Sequence, residues 1–435
     1  ELLEYLRAPD DQIFIKYKDD NITEVRALIV GPVNTPYALG MFEFIMKFPP
    51  EYPSVPPHTT DGGQTRFNPN FYSNGKVCLS ILGTWRGESG EQWSSAHGIS
   101  SVLLSIQSLM TETPYENEPG FTCSAETHDW YKQHYNRKIT HETIRISVCD
   151  RMETLLGMHE RYQLMTQSNA TASTTSTTTT GGSGDATQTS PFVYRPAMYT
   201  DDFGDICKRL FLWHVNAYLS ICERECKLVK AGAHFIHMPF EGGHNIMRGQ
   251  YDYARLEQRL LKIKHILLHE ATAWSEASKQ WIRDECGAGD NLRGQLQQII
   301  NANCLEGMDI SLEDDNPYIW YISIFGKPLT PYDDGIFRLK WVFHKDFPQV
   351  WPRAVFLTPV YHCHVTADGI PYYRVKREED IKEHLQQIAA LFTDDPSPNP
   401  STHVNSEAAA LYFGTADERR QYMRSVRRCA MRSTE

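Results

Sequence analysis

Ten cysteines are scattered along the chain, and one of them, Cys78, lies in a short apolar run, GKVCLSIL (75–82). A cysteine thiolate is both a strong nucleophile and a good leaving group, so a cysteine can accept an acyl group and pass it on. An isolated thiol in a globular chain is more often buried and inert. No cysteines show the paired spacing of a disulfide scaffold or a zinc ribbon, which favours reduced thiols.

The residues around Cys78 indicate mixed secondary structure. From Met41 to Phe48 apolar side chains alternate along the chain, which is typical of a strand with one packed face. From Ile99 to Met110 they follow a helical period. The first 150 residues therefore predict a short helix, a meander of strands, an irregular middle and then helices, which is an α+β order.

An internal repeat determines the organisation of the chain. After a shift of 295 residues, 14 of the 39 positions from Asp19 to Pro57 are identical without a gap. Thr35-Pro36-Tyr37, for example, falls on Thr330-Pro331-Tyr332. The repeat predicts two copies of one domain.

Between the copies, residues 166–190 are almost all small and polar, which predicts a flexible, disordered linker because such a segment cannot bury enough apolar surface to fold. Two long helical patterns follow, from Ile206 to Ile221 and from Tyr253 to Leu267, around a loop rich in glycine and histidine. Whether these helices pack on the first copy, the second or both stays open. The predicted segments are a first domain (1–140), a helical extension (141–165), the linker (166–190), a helical region (191–285) and a second domain (290–430).

Three runs of the first copy together resemble the ubiquitin-conjugating enzymes: TPYALGMFEFIMKFPPEYPSVPP (35–57), FNPNFYSNGKVCLSIL (67–82) and PYENEPG (114–120). HETIRISVCD (141–150) and the later helices are similar to the long Z-type subclass of that family. Residues from about 290 to 428 resemble the same fold again. The resemblance implies, for each copy, a four-stranded antiparallel meander with flanking helices, followed in the first copy by an extended loop that carries the acceptor cysteine.

The resemblance assigns three catalytic positions: Cys78 as the acceptor, Asn70 as the asparagine of a His-Pro-Asn triplet, and Glu118 as an acidic residue across the groove. Amine attack on a thioester creates an oxyanion, which an amide donor such as Asn70 stabilises, although Asn70 is equally suited to holding the loop by hydrogen bonds. Glu118 is suited to orienting or deprotonating the attacking lysine, or it is simply solvated.

The first copy departs from the family pattern at three places. The triplet histidine is replaced by Asn68, so its structural hydrogen bond is expected to be replaced or absent. The crossover after Cys78 carries extra residues, GTWRGESGEQ (83–92), which are predicted to form a lip over the groove. Ser54 stands where many members place an apolar side chain for ligase contact.

The second copy lacks the acceptor. With a one-residue gap, Tyr372 falls on Cys78 and His364 falls on Asn70. A phenol with a pKa of about 10 cannot form an exchangeable thioester. We therefore expect an inactive domain that binds or positions a ligand.

These residues predict an enzyme that accepts ubiquitin or a ubiquitin-like modifier from an activating enzyme as a thioester on Cys78 and transfers it to a substrate lysine or a ligase. A non-catalytic ubiquitin-binding scaffold is the alternative. A cysteine protease would need a histidine beside Cys78, and the nearest in sequence, His58 and His97, lie in no recognisable motif.

The remaining features limit the classes of partner and cofactor that we expect. The net charge of -11 argues against a nucleic-acid partner, and no apolar run reaches the roughly 18 residues of a membrane span. No cofactor is predicted, and for His362 with His364 and for Cys222 with Cys226 packed side chains are favoured over a metal site. We expect a cytoplasmic or nuclear protein, with a further segment preceding Glu1 because the sequence lacks an initial methionine.

Overall fold

A computed structural model describes residues 1–2, 5, 10–18, 20–61, 65–87, 90–117, 125–158, 201–242, 247–284, 287–302 and 306–435. They form two compact units. The first, here the N-terminal unit, draws on Ile13–Gly204 and Ala231–Asp252. The second, the C-terminal unit, draws on Glu1–Gln12, Asp205–Lys230 and Tyr253–Glu435. Each unit holds one four-stranded antiparallel sheet with helices, which confirms the predicted α+β class and the repeat. The predicted linker, 166–190, lies outside the described residues.

The sheet of the N-terminal unit is a meander of strands that neighbour one another in chain order. The strands are β1 (Ile13–Lys18), β2 (Asn21–Val30), β3 (Met41–Lys47) and β4 (His58–Asp61). Phe42, Phe44 and Met46 are buried on one face of β3, as their alternation predicts. The prediction of a single packed face is wrong, however, because Glu43 on the other face is also buried, 2.9 Å from the guanidinium of Arg151.

Helices after the sheet account for that second packed face. They are α1 (Ile99–Ser108), α2 (Ala125–Glu142), a π-helix (Thr143–Asp150) and α3 (Arg151–Leu155). Arg151 has no exposed surface, so its charge requires the Glu43 carboxylate beside it. Within the extension, burial alone would raise the pKa of Glu142, but Arg145 and His141 reverse this and hold that pKa at about 2. The helical extension is thus held to the sheet by the buried ion pair of Arg151 with Glu43.

Residues 231–252 lie between two helices of the C-terminal unit along the chain but belong to the N-terminal unit. Their two arms pair through backbone hydrogen bonds, from Phe235 to Gly249 (3.0 Å) and from Tyr251 to Ala233 (3.0 Å). A side chain at Gly249 would meet the Phe235 ring, so the close approach requires glycine. The predicted helical region, 191–285, therefore serves both units.

The C-terminal unit repeats the strands at an offset of 295: β5 (Met308–Glu313), β6 (Asn316–Phe325), β7 (Ile336–Val342) and β8 (Arg353–Phe356). The cis peptide bond at Tyr52-Pro53 recurs at Phe347-Pro348. Its helices are α4 (Gly204–Cys226), α5 (Tyr253–Leu268), α6 (Glu270–Arg283), α7 (Ala288–Asn301), α8 (Ile381–Ala390), α9 (Ser406–Phe413) and α10 (Ala416–Arg432). Arg353 of β8 binds both Asp205 of α4 (2.9 Å) and Glu270 of α6 (3.0 Å), which ties these helices to the sheet.

Across the part of the chain that the structure describes, no helix is both long and apolar enough to span a membrane.

Candidate active site

The loop after β4 brings Asn70 and Cys78 together. It is closed by a bridge between Phe71 and Val77 and by a turn at Gly75, whose φ of 89° favours glycine. The backbone N–H of Cys78 donates to the carbonyl of Asn70 (2.9 Å), and the side-chain amide of Asn70 donates to the carbonyl of Cys78 (2.8 Å). Each residue therefore fixes the backbone of the other.

Asn68 takes over the hydrogen bonding expected of the missing histidine. Its side-chain oxygen accepts from the backbone N–H of Asn70 (3.0 Å). Its amide donates to the hydroxyl of Tyr37 (2.9 Å) and to the carbonyl of Leu109 (2.9 Å). Because Asn68 is fully buried and bonded through both side-chain atoms, the structural hydrogen bond at this position is replaced rather than lost.

The extra residues in the crossover contact the Cys78 segment directly. The hydroxyl of Thr84 accepts from the N–H of Leu79 (3.0 Å) and donates to the carbonyl of Val77 (2.8 Å). These two residues flank Cys78, so Thr84 holds both sides of it. The next residue, Trp85, is 43% exposed and lines the same cleft as Cys78, in agreement with the predicted lip.

The Cys78 cleft has exposed residues at its rim and the cysteine, only 3% exposed, inside it. It is lined by Pro69, Asn70, Tyr72, Cys78, Trp85, Glu116 and Asn117. Asn117 is held by a hydrogen bond from its side-chain amide to the carbonyl of Leu109 (2.9 Å). The cleft is therefore built mainly from polar and aromatic side chains on fixed backbone.

Among the described residues that line this cleft, the acidic one is Glu116, which was not among the predicted site residues. Glu118 lies outside the described residues, so its predicted place across the groove stays a prediction. Hydrogen bonds from Lys132 (2.9 Å) and Thr113 (2.7 Å) lower the pKa of Glu116, which keeps the carboxylate charged. The signal for Glu116 was its place in the same PYENEPG motif, on the 3₁₀ turn Pro114–Asn117.

Arg66 holds this loop through hydrogen bonds to its backbone. Arg66 is 3% exposed, and its guanidinium donates to the carbonyl of Pro69 (2.6 Å from Nη2) and lies 4.6 Å from the centre of the Tyr72 ring. Nε donates to the same carbonyl (3.2 Å), and Nη1 donates to the carbonyl of Phe240 (3.0 Å). Beside it, Glu241 forms a fully buried ion pair with Lys138 of α2. Residues 231–252 thus hold the loop that carries Asn70.

A protease base and a metal site are the two other chemistries that the sequence raised. His97 accepts from the N–H of Ser94 (3.0 Å) and is absent from the described lining of the Cys78 cleft, which a protease base would occupy. No three His, Cys, Asp or Glu side chains in the described ranges cluster closely enough to hold a metal ion. Cys222 is buried but Cys226 is exposed, so the predicted pair of core-facing thiols is wrong for Cys226, which lies near the end of α4 where the helix faces solvent.

The second copy keeps the same loop around different side chains. The N–H of Tyr372 donates to the carbonyl of His364 (2.7 Å), as that of Cys78 does to Asn70. The ring of Trp213, from α4, lies 4.6 Å from the ring of Tyr372, and its indole N–H donates to the carbonyl of Pro371 (2.9 Å). Burial raises the pKa of Tyr372 to about 12, so the phenol stays neutral.

The two histidines of this loop hold backbone and hydroxyl groups. His362 accepts from the N–H of His364 (2.9 Å), the bond that Asn68 makes in the first copy. His364 is hydrogen-bonded to the hydroxyl of Thr402 (3.1 Å). Burial lowers the pKa of His362 to about 3 and that of His364 to about 4, so both rings are neutral. Neither ring is placed as the Asn70 amide is.

The sequence pattern of one protein family matches both copies, and individual relatives match about a third of the chain. The sequence pattern of the ubiquitin-conjugating enzyme family matches residues 1–143 and 292–430, more than half of the chain. Ubiquitin-conjugating enzyme E2 Z of Homo sapiens is 51% identical over 157 residues, covering 35% of this chain and 43% of that protein. The protein of the same name from Xenopus tropicalis is 49% identical over 157 residues, covering 35% and 49%.

A more distant relative is the dual E2 ubiquitin-conjugating enzyme/E3 ubiquitin-protein ligase BIRC6 of Homo sapiens, 44% identical over 126 residues, covering 28% of this chain and 3% of that protein. The chain therefore spans less than half the length of each of these three relatives. The family pattern, the repeated sheets and the similarity to the Z-type relatives agree, and the chain belongs to the ubiquitin-conjugating enzyme family.

Proposed function

We propose that Cys78 accepts ubiquitin, or a ubiquitin-like modifier, as a thioester from an activating enzyme and passes it to a substrate lysine or to a ligase. The observation that carries this proposal is the arrangement of Cys78 and Asn70 in one cleft, each fixed by a hydrogen bond to the backbone of the other. The names of the relatives, which describe ubiquitin conjugation, support the choice of modifier.

The reaction has two acyl transfers. In the first, the Cys78 thiolate attacks the carbonyl of the donor thioester, and the thiolate of the activating enzyme leaves. One thioester replaces another, so little driving force is needed. In the second, a lysine amine attacks the Cys78 thioester, the tetrahedral oxyanion collapses, and the Cys78 thiolate leaves while the amine loses a proton.

The side chains around Cys78 fit separate parts of this reaction. The amide of Asn70 already donates to the carbonyl of Cys78, which favours a role in holding the loop over direct binding of the oxyanion. Glu116, charged and at the cleft, is suited to orienting an incoming ammonium group before it loses its proton. Glu118 stays a candidate for the same task.

A charging assay tests the proposal. The full chain is incubated with ubiquitin, ubiquitin-activating enzyme and ATP, and the products are resolved with and without a thiol reductant. We expect one reducible ubiquitin adduct in wild type and none in Cys78→Ala. An adduct that persists in Cys78→Ala would show another acceptor, and its absence from wild type with several activating enzymes and modifiers would favour the scaffold.

Asn70→Ala separates the two roles of the amide. If Asn70 holds the loop, charging and discharge slow together, by about tenfold, because both need the same Cys78 geometry. If it binds the oxyanion of aminolysis, discharge to free lysine falls on the order of 100-fold or more while charging is little changed. We expect the first result, measured by single-turnover charging and discharge.

For the C-terminal unit we propose a non-catalytic role in binding and positioning ubiquitin or substrate. The replacement of Cys78 by Tyr372 and the retention of the fold support it. If this unit positions ubiquitin, the uncharged Cys78→Ala chain shifts resonances of ¹⁵N-labelled ubiquitin, and the shifts persist when the Cys78 cleft is blocked by Trp85→Arg. Unshifted spectra at the highest attainable concentration would remove ubiquitin as its ligand.

A further inference from the structure

The last helix of the C-terminal unit, α10, has two faces of different character. One face carries Tyr422, Val426 and Ala430, which are buried in the core of the unit. Tyr422 packs against Tyr412 (5.1 Å between ring centres). The opposite face is exposed and repeats arginine at helical spacing, at Arg420, Arg424, Arg427 and Arg428. We call these four arginines, with the exposed Met431 one turn further on, the arginine face.

Three of the four charges of the arginine face have no carboxylate partner among the described residues. Arg420 pairs with Asp417 of the preceding turn. For Arg424, Arg427 and Arg428, no described carboxylate lies within ion-pair distance. The two acidic residues of the helix, Asp417 and Glu418, are both in its first turn, where Glu418 caps the helix through Thr415. These three cations are thus left to solvent, and the arginines from Arg420 to Arg428 extend over about 12 Å of helix.

The fold gains little from this arrangement. Like charges three and four residues apart destabilise a helix by a few tenths of a kcal/mol per pair. Cations near a helix C-terminus are favourable, but that effect falls off within the last turn and does not reach Arg420, Arg424 or Arg427. Met431 is 72% exposed on the same side, where water is an unfavourable environment for its side chain. Both features are unfavourable in the isolated protein and favourable against a partner that is acidic and partly apolar.

We propose that the arginine face docks a carboxylate-rich segment of a partner protein that also carries an apolar side chain for Met431. Arginine binds carboxylates through paired N–H donors, and a stripe of about 12 Å spans roughly four residues of an extended segment. The charge of the whole chain favours a short acidic segment over a nucleic acid. A polyanion that extends beyond the arginines meets a chain whose net charge is -11, which repels a long nucleic acid more than a segment of about four residues.

Fluorescence anisotropy on the full chain tests the proposal. The probe is a labelled twelve-residue peptide of Glu and Asp with two Leu, and the reference probes are the same peptide with Gln for each acid and a twelve-nucleotide single strand of DNA. We expect the acidic peptide to bind at low salt, with affinity falling as salt is raised. The Gln peptide should not bind detectably, and the DNA should bind more weakly than the acidic peptide.

The decisive variant is Arg424→Gln/Arg427→Gln/Arg428→Gln. Since it removes mutual repulsion, it keeps the helix, which circular dichroism checks. We expect at least a tenfold loss of peptide affinity, as three exposed ion pairs are lost. Met431→Gln should weaken binding about threefold without changing its dependence on salt.

The matched control is Arg224→Gln/Lys227→Gln/Lys230→Gln, which makes the same change in net charge at the end of α4. There Arg224 and Lys227 already have carboxylate partners, Glu225 and Glu223. We expect this control to bind the peptide as wild type does. Equal losses in both variants, an undiminished affinity of the α10 variant, tighter binding of the DNA, or no binding of the acidic peptide at low salt would each overturn the proposal.

Discussion

The loops around Cys78 and Tyr372 have the same backbone but opposite surroundings. In both, a glycine with positive φ turns the chain, at Gly75 and at Gly369, and an isolated bridge closes the loop, Phe71 with Val77 and Val365 with Pro371. Around Cys78 the space beyond the loop is a cleft edged by the exposed Trp85.

Around Tyr372 the corresponding space is filled. Trp213 of α4 packs on the Tyr372 ring and binds the carbonyl of the residue before it. Arg209, one turn earlier in α4, stacks 3.7 Å from the centre of the Trp351 ring. Turns and backbone hydrogen bonds therefore maintain this loop in both copies, whereas its chemistry depends on the side chains and on what covers them.

Moving the cysteine from one loop to the other tests whether cover by α4 prevents chemistry at the second loop, and it has the largest expected effect. In the double variant Cys78→Ala/Tyr372→Cys, the introduced thiol has the right backbone but lies under Trp213. We expect no reducible ubiquitin adduct above that of Cys78→Ala alone, in the charging assay described for the proposed function.

The triple variant that adds Trp213→Ala is the matched comparison. Removing the indole opens space beside the introduced thiol, so alkylation by iodoacetamide should accelerate even if ubiquitin does not charge it. Charging of the double variant at a rate near wild type would mean that cover by α4 is not what separates the two loops.

We expect acid to destabilise the C-terminal unit at a higher pH than the N-terminal unit. Burial lowers the pKa of His214 and His384 to about 4 and that of His362 to about 3, and all three lie in the C-terminal unit. In the unfolded chain they titrate near 6.5, so the unfolded state binds more protons between pH 6.5 and 4. The contribution of these neutral histidines to the free energy of unfolding is fully present above pH 6.5 and is lost as the pH drops to 4. The loss is about 2 kcal/mol per buried histidine at pH 5.

The N-terminal unit provides the contrast. Its Glu142 has a pKa lowered to about 2, so its contribution is present above pH 4.5 and is lost only below that value. Hydrogen exchange read by mass spectrometry at pH 7 and pH 5, corrected for the intrinsic rate, should show the C-terminal sheet losing protection first. Earlier loss in the N-terminal sheet would refute the assignment of the acid-sensitive groups.

Periodicity and the internal repeat predicted the features that depend on the local backbone, namely the strands and the correspondence of the two loops. The strand alternation at Phe42, Phe44 and Met46 placed β3, and the repeat placed Tyr372 on Cys78, because period and spacing reflect the backbone directly. The sequence did not reveal that Trp213 covers Tyr372 or that Phe240 binds Arg66. Those contacts join residues 158 and 174 positions apart, and no periodicity within a segment specifies them.

Arg66 is present in the first copy and absent from the second, and a substitution can test its contribution. Its counterpart after the one-residue gap is Val360, which has no donor for the loop. Arg66→Ala leaves the carbonyls of Pro69 and Phe240 without this donor, and we expect a loss of about 3 kcal/mol in the stability of the N-terminal unit. Urea unfolding followed by hydrogen exchange in each unit measures it.

Arg86→Ala is the control for that variant, because Arg86 is exposed in the crossover after Cys78. It should change stability by no more than about 0.5 kcal/mol. If Arg66→Ala changed stability as little as Arg86→Ala, the link from residues 231–252 to the Asn70 loop would be unimportant to stability.

The smallest expected effect concerns the turn between the second and third strands of each sheet. Asn34 in the first copy and Leu329 in the second both have positive φ, 63° and 66°, and in both turns a threonine hydroxyl binds back, to Pro32 and to Lys327. Asparagine tolerates this conformation, whereas leucine is strained by about 1–2 kcal/mol. Leu39 has the same strain in the first copy but is buried, while Leu329 is fully exposed.

Leu329→Asn should therefore stabilise the C-terminal unit by about 1 kcal/mol, because it relieves strain that no burial offsets. The reciprocal Asn34→Leu should destabilise the N-terminal unit by a similar amount, and Leu329→Ala, which keeps a Cβ at positive φ, should do little. Thermal unfolding should show a rise of about 2–4 °C for Leu329→Asn. A fall instead would mean that the leucine side chain contributes more to this turn than its exposure indicates, and the two turns would then differ in packing rather than in strain.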